Sequence, residues 1–229
     1  MTARACVLWD WNGTLLDDTE ASLAAFNAQL EKRGAARVGM DFYRAHFAFP
    51  VKPFYALCGV DPDREDWDEI AREYHASYAA EPKALNREAI AALERVKAAG
   101  ARQCVLSALR QDLLDAALDS FGVRGYFDLA YGSGDLYGGS KLDRARQLVD
   151  RLSGFDLVMI GDATHDKEVA AALGIRCVLC AQGGHSADRL RAVAPTGDTL
   201  LEAVGLALGA IDRDEDHLGK WPDTRKGPS

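Results

Sequence analysis

Cys6-Val7-Leu8-Trp9-Asp10-Trp11-Asn12-Gly13-Thr14-Leu15 is an apolar run that stops at a carboxylate and continues through an Asn-Gly turn to a hydroxyl. Its first residues favour extended backbone, and the pattern predicts a strand that delivers Asp10 into a loop. Strand tips are where open α/β sheets bind ligands. Taken alone, the stretch has two readings. Asp10 is either a nucleophilic or metal-binding aspartate held by a tight turn, or part of an ordinary turn, since Asn-Gly is a frequent turn dipeptide.

Outward from this strand, Asp17-Asp18-Thr19-Glu20 offers helix-capping residues, and residues 22–33 follow a helical pattern closed by Gly34. Aromatic residues then cluster (Phe42, Tyr43, Phe47, Phe49, Phe54, Tyr55), helical patterns recur from Asp41 and Glu65, and no convincing strand alternation appears. Residues 17–84 therefore read as a small all-helical insertion, cut into an α/β domain directly after its first strand. From Asn86 onward helix and strand alternate with short joints. Strands are predicted over 103–106, 127–130, 157–160 and 175–180, and helices over 88–99, 111–121 and 142–152, through Val169, Ala172 and Leu173, and over 199–208. This alternation predicts an α/β fold whose core is a doubly wound, Rossmann-like parallel sheet built from residues 1–16 and 85–211. Residues 212–229 are polar and are expected to form a mobile tail.

Of the 229 residues, 48% are hydrophobic and 27% charged, which fits a globular chain and excludes disordered or fibrous classes. The net charge of -8 leaves no electrostatic footprint for phosphate backbones, so nucleic acid is not an expected partner. No apolar run approaches the roughly 20 residues that cross a bilayer, and the N-terminus lacks a signal-peptide pattern, so no membrane partner and a cytoplasmic location are expected. Four of the five cysteines, Cys6, Cys104, Cys177 and Cys180, lie in apolar runs and read as reduced structural thiols. Cys177 and Cys180 have a redox-like spacing, but a strand sends residues three apart to opposite faces.

Strands that all point one way bring Asp10, Ser107 and Asp162 to one sheet edge. Lys141 joins them from Gly138-Gly139-Ser140-Lys141, at a helix start whose free amides favour an anion. Two carboxylates suit a hard cation; a hydroxyl and an ammonium suit an anion. Together they make a set suited to Mg²⁺-dependent phosphoryl transfer.

With DWNGTL at 10–15, Leu106-Ser107-Ala108, Ser140-Lys141 and Gly161-Asp162-Ala163-Thr164-His165-Asp166 in order, the chain resembles a haloacid dehalogenase superfamily phosphohydrolase. The insertion at 17–84 resembles the small all-helical cap domain of the phosphoglycolate phosphatase-like branch, and FAFPV at 47–51 and GGHS at 183–186 are similar to that branch as well. The resemblance implies Asp10 as a nucleophile that becomes an aspartyl-phosphate. It implies Mg²⁺ held by Asp10, Asp162 and the backbone carbonyl of Asn12, and phosphoryl oxygens held by Ser107, Ala108 and Lys141. Asp166 would orient Lys141 or a metal-bound water. In the insertion, Arg44, His46, Lys52 and Tyr55 are candidates to line the cavity for a small phosphorylated metabolite.

Phosphatases of this family carry a second aspartate two residues after the nucleophile as general acid and base, and here that residue is Asn12. An amide cannot exchange protons at neutral pH, and such catalysis is worth about 10² to 10⁴ in rate. Three remedies are open: a leaving group that needs no proton, a substitute such as Asp17, Asp18 or His46, or deamidation of Asn12. His165 and His185 read as loop hydrogen-bonders, although histidine has a suitable pKa for the role. The leading expectation is a phosphoric monoester hydrolase. The rivals are a catalytically weak phosphate-binding or regulatory protein and a dehalogenase- or phosphonatase-like member.

Overall fold

A computed structural model describes residues 4–134 and 141–216. The opening apolar run forms β1 (Arg4–Trp9), which lies inside the sheet with a parallel neighbour on each side. Two further two-residue strands, β2 (Leu16–Asp17) and β3 (Ala84–Leu85), pair with each other in antiparallel fashion. The main sheet is completed by β4 (Arg102–Arg110), β5 (Leu129–Ser133), β6 (Phe155–Gly161), β7 (Arg176–Cys180) and β8 (Thr196–Gly197), in the order β5-β4-β1-β6-β7-β8. Every pairing in it is parallel, so all the C-terminal strand ends share one edge.

Such a sheet is stable only if both faces are covered, and the residues of β1 show how this is done. Val7 and Trp9 face a cluster made with α5 (Ala89–Ala98), α6 (Gln111–Ser120) and α10 (Leu200–Asp216). Cys6 and Leu8 face a second cluster made with α7 (Lys141–Arg151), α8 (Thr164–Leu173) and α9 (Ala187–Arg191). Cys177 belongs to the second cluster and Cys180 to the first, and all five cysteines are free thiols. The spacing of Cys177 and Cys180 thus comes from strand alternation.

A third cluster is built from Phe26, Leu30, Tyr43, Phe54, Tyr55, Val60 and Ile70. These residues come from α1 (Thr19–Lys32), α2 (Met40–His46), α3 (Lys52–Leu57), the turn that follows α3, and α4 (Trp67–Ala80). Phe26 stacks on Phe54 with ring centroids 4.7 Å apart and meets Tyr55 edge-on at 4.8 Å. Arg33 ties the helices together through Glu65 at 2.6 Å and Glu73 at 3.4 Å. The paired β2 and β3 connect these helices to the sheet. Two-residue strands show no alternation, so the sequence pattern does not reveal them.

Several boundaries differ from the sequence reading. β4 continues past Ser107 to Arg110, and its register against β5 shifts between Leu106 and Arg110. Residues 107–109 bulge there, at the edge where a ligand would bind. β5 starts two residues later than predicted because a 3₁₀ turn, Arg124–Tyr126, precedes it. The polar run expected outside the fold also starts later: α10 continues to Asp216, since an established helix extends at one hydrogen bond per residue. Residues 217–229 lie outside the described residues. No helix among the described residues is long and apolar enough to cross a membrane.

Leu8 is fully buried against the α7–α9 layer. Leu8→Ala is expected to cost about 2–5 kcal/mol of stability. Urea unfolding should show this as a lower midpoint with an unchanged slope.

Candidate active site

At the end of β1 the Asp10 amide makes one last ladder bond, to the Ile160 carbonyl at 2.8 Å, and the chain then turns sharply. The amides of Leu15 and Leu16 both bond back to the Trp11 carbonyl, at 3.1 and 2.9 Å. Gly13 sits inside this turn at φ +74°, and a Cβ there would collide with the Asp162 carboxylate. Only glycine meets both conditions.

Asp10 and Asp166 are bridged by Lys141, the first residue of α7. Its Nζ lies 2.6 Å from Asp10 Oδ1 and 2.7 Å from Asp166 Oδ1, and all three side chains are buried. The other oxygen of Asp166 accepts the amides of Asp162 and Ala163, at 3.1 and 3.0 Å, which fixes the turn between β6 and α8. Asp162 in turn accepts the Gly184 amide at 2.5 Å and the Thr14 hydroxyl at 3.4 Å. Gly183 is packed so tightly against Asp162 that a Cβ would enter its carboxylate.

The electrostatics follow from three carboxylates and one ammonium away from water. Burial pushes the Asp10 carboxyl up, to about 7, against the opposing pull of Lys141. Asp162 is raised well above the ordinary range by burial and by the charges of Asp10 and Asp166. Burial also acts on Asp166, but Lys141 outweighs it and holds that carboxyl below its usual value. Lys141, disfavoured as a cation by burial, is held above the ordinary lysine value by its two partners. Carboxylate oxygens of Asp10, Asp162 and Asp166 lie within 4.8 Å of one another. Adjacent buried carboxylates with surplus negative charge are the donor set a hard divalent cation satisfies, so the residues fit Mg²⁺.

Asn12 points away from this centre. Its Nδ2 donates to Asp18 Oδ2 at 2.7 Å and to the Tyr78 hydroxyl at 3.0 Å, and its Oδ1 accepts from the Ser107 hydroxyl at 3.4 Å. A carboxylate only accepts, so the atom facing Asp18 is the amide nitrogen. Asp18 also accepts the Gly13 amide at 2.7 Å and the Tyr78 hydroxyl at 2.6 Å. Burial raises its carboxyl despite these donors. Asp18 was expected to cap α1, but its side chain makes no capping bond there. It is engaged by the turn after β1.

Above the carboxylates lies a cavity of about 390 Å³. Asp10, Asn12, Lys141, Asp162 and Asp166 lie on its floor, and its walls include Tyr43, Phe47, Phe49, Tyr55, Trp67 and Tyr74 from the helical unit. Of the four helical candidates, Lys52 and Tyr55 line the cavity. Arg44 and His46 do not, because α2 turns them elsewhere. Arg44 Nε donates to the Gly183 carbonyl at 3.0 Å, and the exposed His46 packs its ring 4.5 Å from that of Phe42. Ala108 and Leu109 reach the wall, while Ser107 is wholly buried behind them and accepts the Leu109 amide at 3.0 Å. Residues 138–140, the glycines and serine read before Lys141, lie outside the described residues.

His185 accepts the Thr164 amide on Nδ1 at 3.0 Å, and burial lowers its pKa to about 4, so it stays neutral. His165 lies on the wall beside Phe49. Asp17 is exposed and pairs with Ala84 in the two-stranded ladder, away from the wall. Tyr78 belongs to no motif, and the GGHS stretch does not show that the Gly184 amide serves Asp162; each meets its partner only through tertiary packing.

A model of haloacid dehalogenase-like hydrolases matches residues 7–180, and the chain belongs to this family. Over 213 residues it is 29% identical to the tyrosine-protein kinase PtkA of Mycobacterium tuberculosis, covering 87% of this chain and 72% of that protein. It is 26% identical over 188 residues to a phosphoglycolate phosphatase of Rhodobacter capsulatus, covering 77% of this chain and 84% of that one. Among solved structures, a haloacid dehalogenase-like hydrolase from Streptococcus pneumoniae shares the fold at a TM-score of 0.75 and 20% identity, covering 90% and 99% of the two chains.

Removing the ammonium would leave two buried carboxylates without a counter-charge. Lys141→Met is expected to destabilise the protein by about 3–5 kcal/mol at pH 7, measured by urea unfolding. Gly13→Ala forces a left-handed backbone on a residue with a Cβ. A smaller loss, about 1–2 kcal/mol, is expected in the same measurement, together with displacement of Asp162.

Proposed function

We propose that the protein is a Mg²⁺-dependent phosphatase acting on a small phosphorylated metabolite, with Asp10 as nucleophile and an aspartyl-phosphate intermediate. The observation that carries this reading is the contact of Lys141 with Asp10. A nucleophilic carboxylate must be ionised, burial opposes ionisation, and the ammonium at 2.6 Å counteracts burial on the cavity floor. The similarity to a phosphoglycolate phosphatase supports the reaction class.

In this reading Mg²⁺ is held by Asp10, Asp162 and the Asn12 carbonyl, and supplies positive charge to the phosphoryl oxygens. Lys141 adds a second positive charge at the same place and restrains the Asp10 carboxylate. Asp166 is a positioning residue, holding Lys141 with one oxygen and the turn at Asp162 with the other. Residues 17–84 act as a cap, with their aromatic side chains excluding water from the reacting groups. Arg44 and Arg189 latch this cap to the loop after β7, through the Gly183 and Phe47 carbonyls at 3.0 and 2.7 Å.

One observation favours the second reading, a site that binds phosphate but turns over slowly. Asn12, at the position of the general acid and base, is fixed by Asp18, Tyr78 and Ser107 and carries no transferable proton.

The two readings are separated by following phosphate release from a panel of phosphomonoesters with Mg²⁺ and after chelation. Turnover is expected with Mg²⁺, abolished by EDTA and restored by added Mg²⁺, and reduced by roughly 10³-fold or more in Asp10→Asn. Saturable phosphate binding without turnover on any member would leave the binding reading. Including ATP covers the kinase sense of the PtkA relative: labelled protein without released phosphate would replace hydrolysis.

A further inference from the structure

The cap cavity and the locked Asn12 place the same demand on the substrate, although they come from different parts of the chain. The cavity volume, about 390 Å³, falls in the roughly 300–1,000 Å³ range of small-molecule sites. Its upper wall is aromatic. No arginine among the described residues lines it, and Arg44 and Arg189 are engaged by the Gly183 and Phe47 carbonyls. Lys52, the one lysine on the wall among the described residues apart from Lys141 on the floor, is exposed and stands 5.0 Å over the Trp67 ring. A second anionic group on the substrate therefore finds no guanidinium partner on this wall, whereas a flat apolar group finds ring faces and edges.

The floor bears on the leaving group. Asn12 has no proton to give. Asp18, the next carboxyl on the wall, accepts from Gly13, Asn12 and Tyr78, so its oxygens are taken up by the β1 turn and by α4 and do not face a leaving oxygen. With neither Asn12 nor Asp18 placed to protonate it, this floor favours a leaving oxygen that departs as an anion. A phenol, with a pKa near 10 like that of tyrosine, does so far more readily than an alcohol, whose hydroxyl resembles that of water at about 15.7.

We propose that the substrate is an aryl phosphate, a phosphomonoester of a phenol, with its ring against the cap aromatics and its phosphoryl group at Asp10. The proposal rests on the phosphatase reading above. In the first step a bond forms between an Asp10 oxygen and phosphorus, and the bond from phosphorus to the phenolic oxygen breaks. The bonding pair leaves with the phenoxide, which takes its proton from solvent. In the second step a water oxygen displaces Asp10, its proton passes to solvent, and inorganic phosphate leaves.

The test measures kcat/KM by phenol release for phenyl phosphates whose leaving groups span pKa values from about 7 to 10, beside 2-phosphoglycolate and acetyl phosphate. Phosphate is followed in parallel. The aryl esters are expected to exceed 2-phosphoglycolate by about 10²-fold or more, with kcat/KM falling as the leaving-group pKa rises. Asn12→Asp should narrow this gap by raising the alkyl ester. Phe49, on the wall and 43% exposed, probes the ring site without disturbing the core. Phe49→Ala should raise KM for phenyl phosphate about 2- to 10-fold more than for acetyl phosphate, which has a good leaving group and no ring. An alkyl phosphate that outruns the aryl series, a kcat/KM independent of leaving-group pKa, or an equal effect of Phe49→Ala on both substrates overturns the aryl assignment and leaves the phosphatase reading standing. Absence of both phenol and phosphate release from every substrate overturns both.

Discussion

Lys141 reaches Asp10 and Asp166 across 131 and 25 residues of chain, and the three side chains meet where water is excluded. A charge in such a place is unfavourable unless it is paired and hydrogen-bonded. The ammonium meets that requirement for two carboxylates at once, and the consequences spread through the loops. Asp166, held by Lys141, anchors the amides of Asp162 and Ala163. That fixes the β6–α8 turn and brings Asp162 against Gly13 of the β1 turn and Gly184 of the loop after β7. Four separate segments are thus set by one chain of charge-assisted bonds.

The second organising contact joins the sheet to the helices above it. Asn12 bonds at once to Asp18, which begins the segment entering α1, and to Tyr78, near the end of α4. A carboxylate at position 12 would face that of Asp18 at hydrogen-bond distance and repel it, whereas an amide donates. The replacement of the usual aspartate is therefore consistent with its surroundings. Asn12 is a strut between the β1 turn and the two helices, α1 and α4, that adjoin the β2–β3 ladder. The latch of α2 onto the Gly183–Arg189 segment is a second, independent tether. An aromatic roof held at two places over a charged floor makes the cavity polar at one end and apolar at the other.

Much of this was legible in the residue order. Strand tips at Asp10 and Asp162, the alternation of helix and strand, the aromatic cluster between residues 42 and 55 and the opposite facing of Cys177 and Cys180 are all local patterns, and local patterns follow from side-chain periodicity. The same signals define the sheet edge where Asp10, Lys141, Asp162 and Asp166 converge. Membership of the haloacid dehalogenase-like hydrolases follows from motifs kept in order.

The tertiary structure alone decided which partner each polar group took. Nothing near Arg44 in the chain announces that its guanidinium binds the Gly183 carbonyl, or near Asp18 that it serves the β1 turn and not its own helix. The two-residue ladder of Leu16–Asp17 with Ala84–Leu85 and the bulge at Ser107–Leu109 are equally silent, being shorter than any period that could mark them. Hydrophobic periodicity fixes which face of an element is buried. The choice among hydrogen-bond partners depends on distances between segments far apart in sequence, and these exist only once the layers have packed.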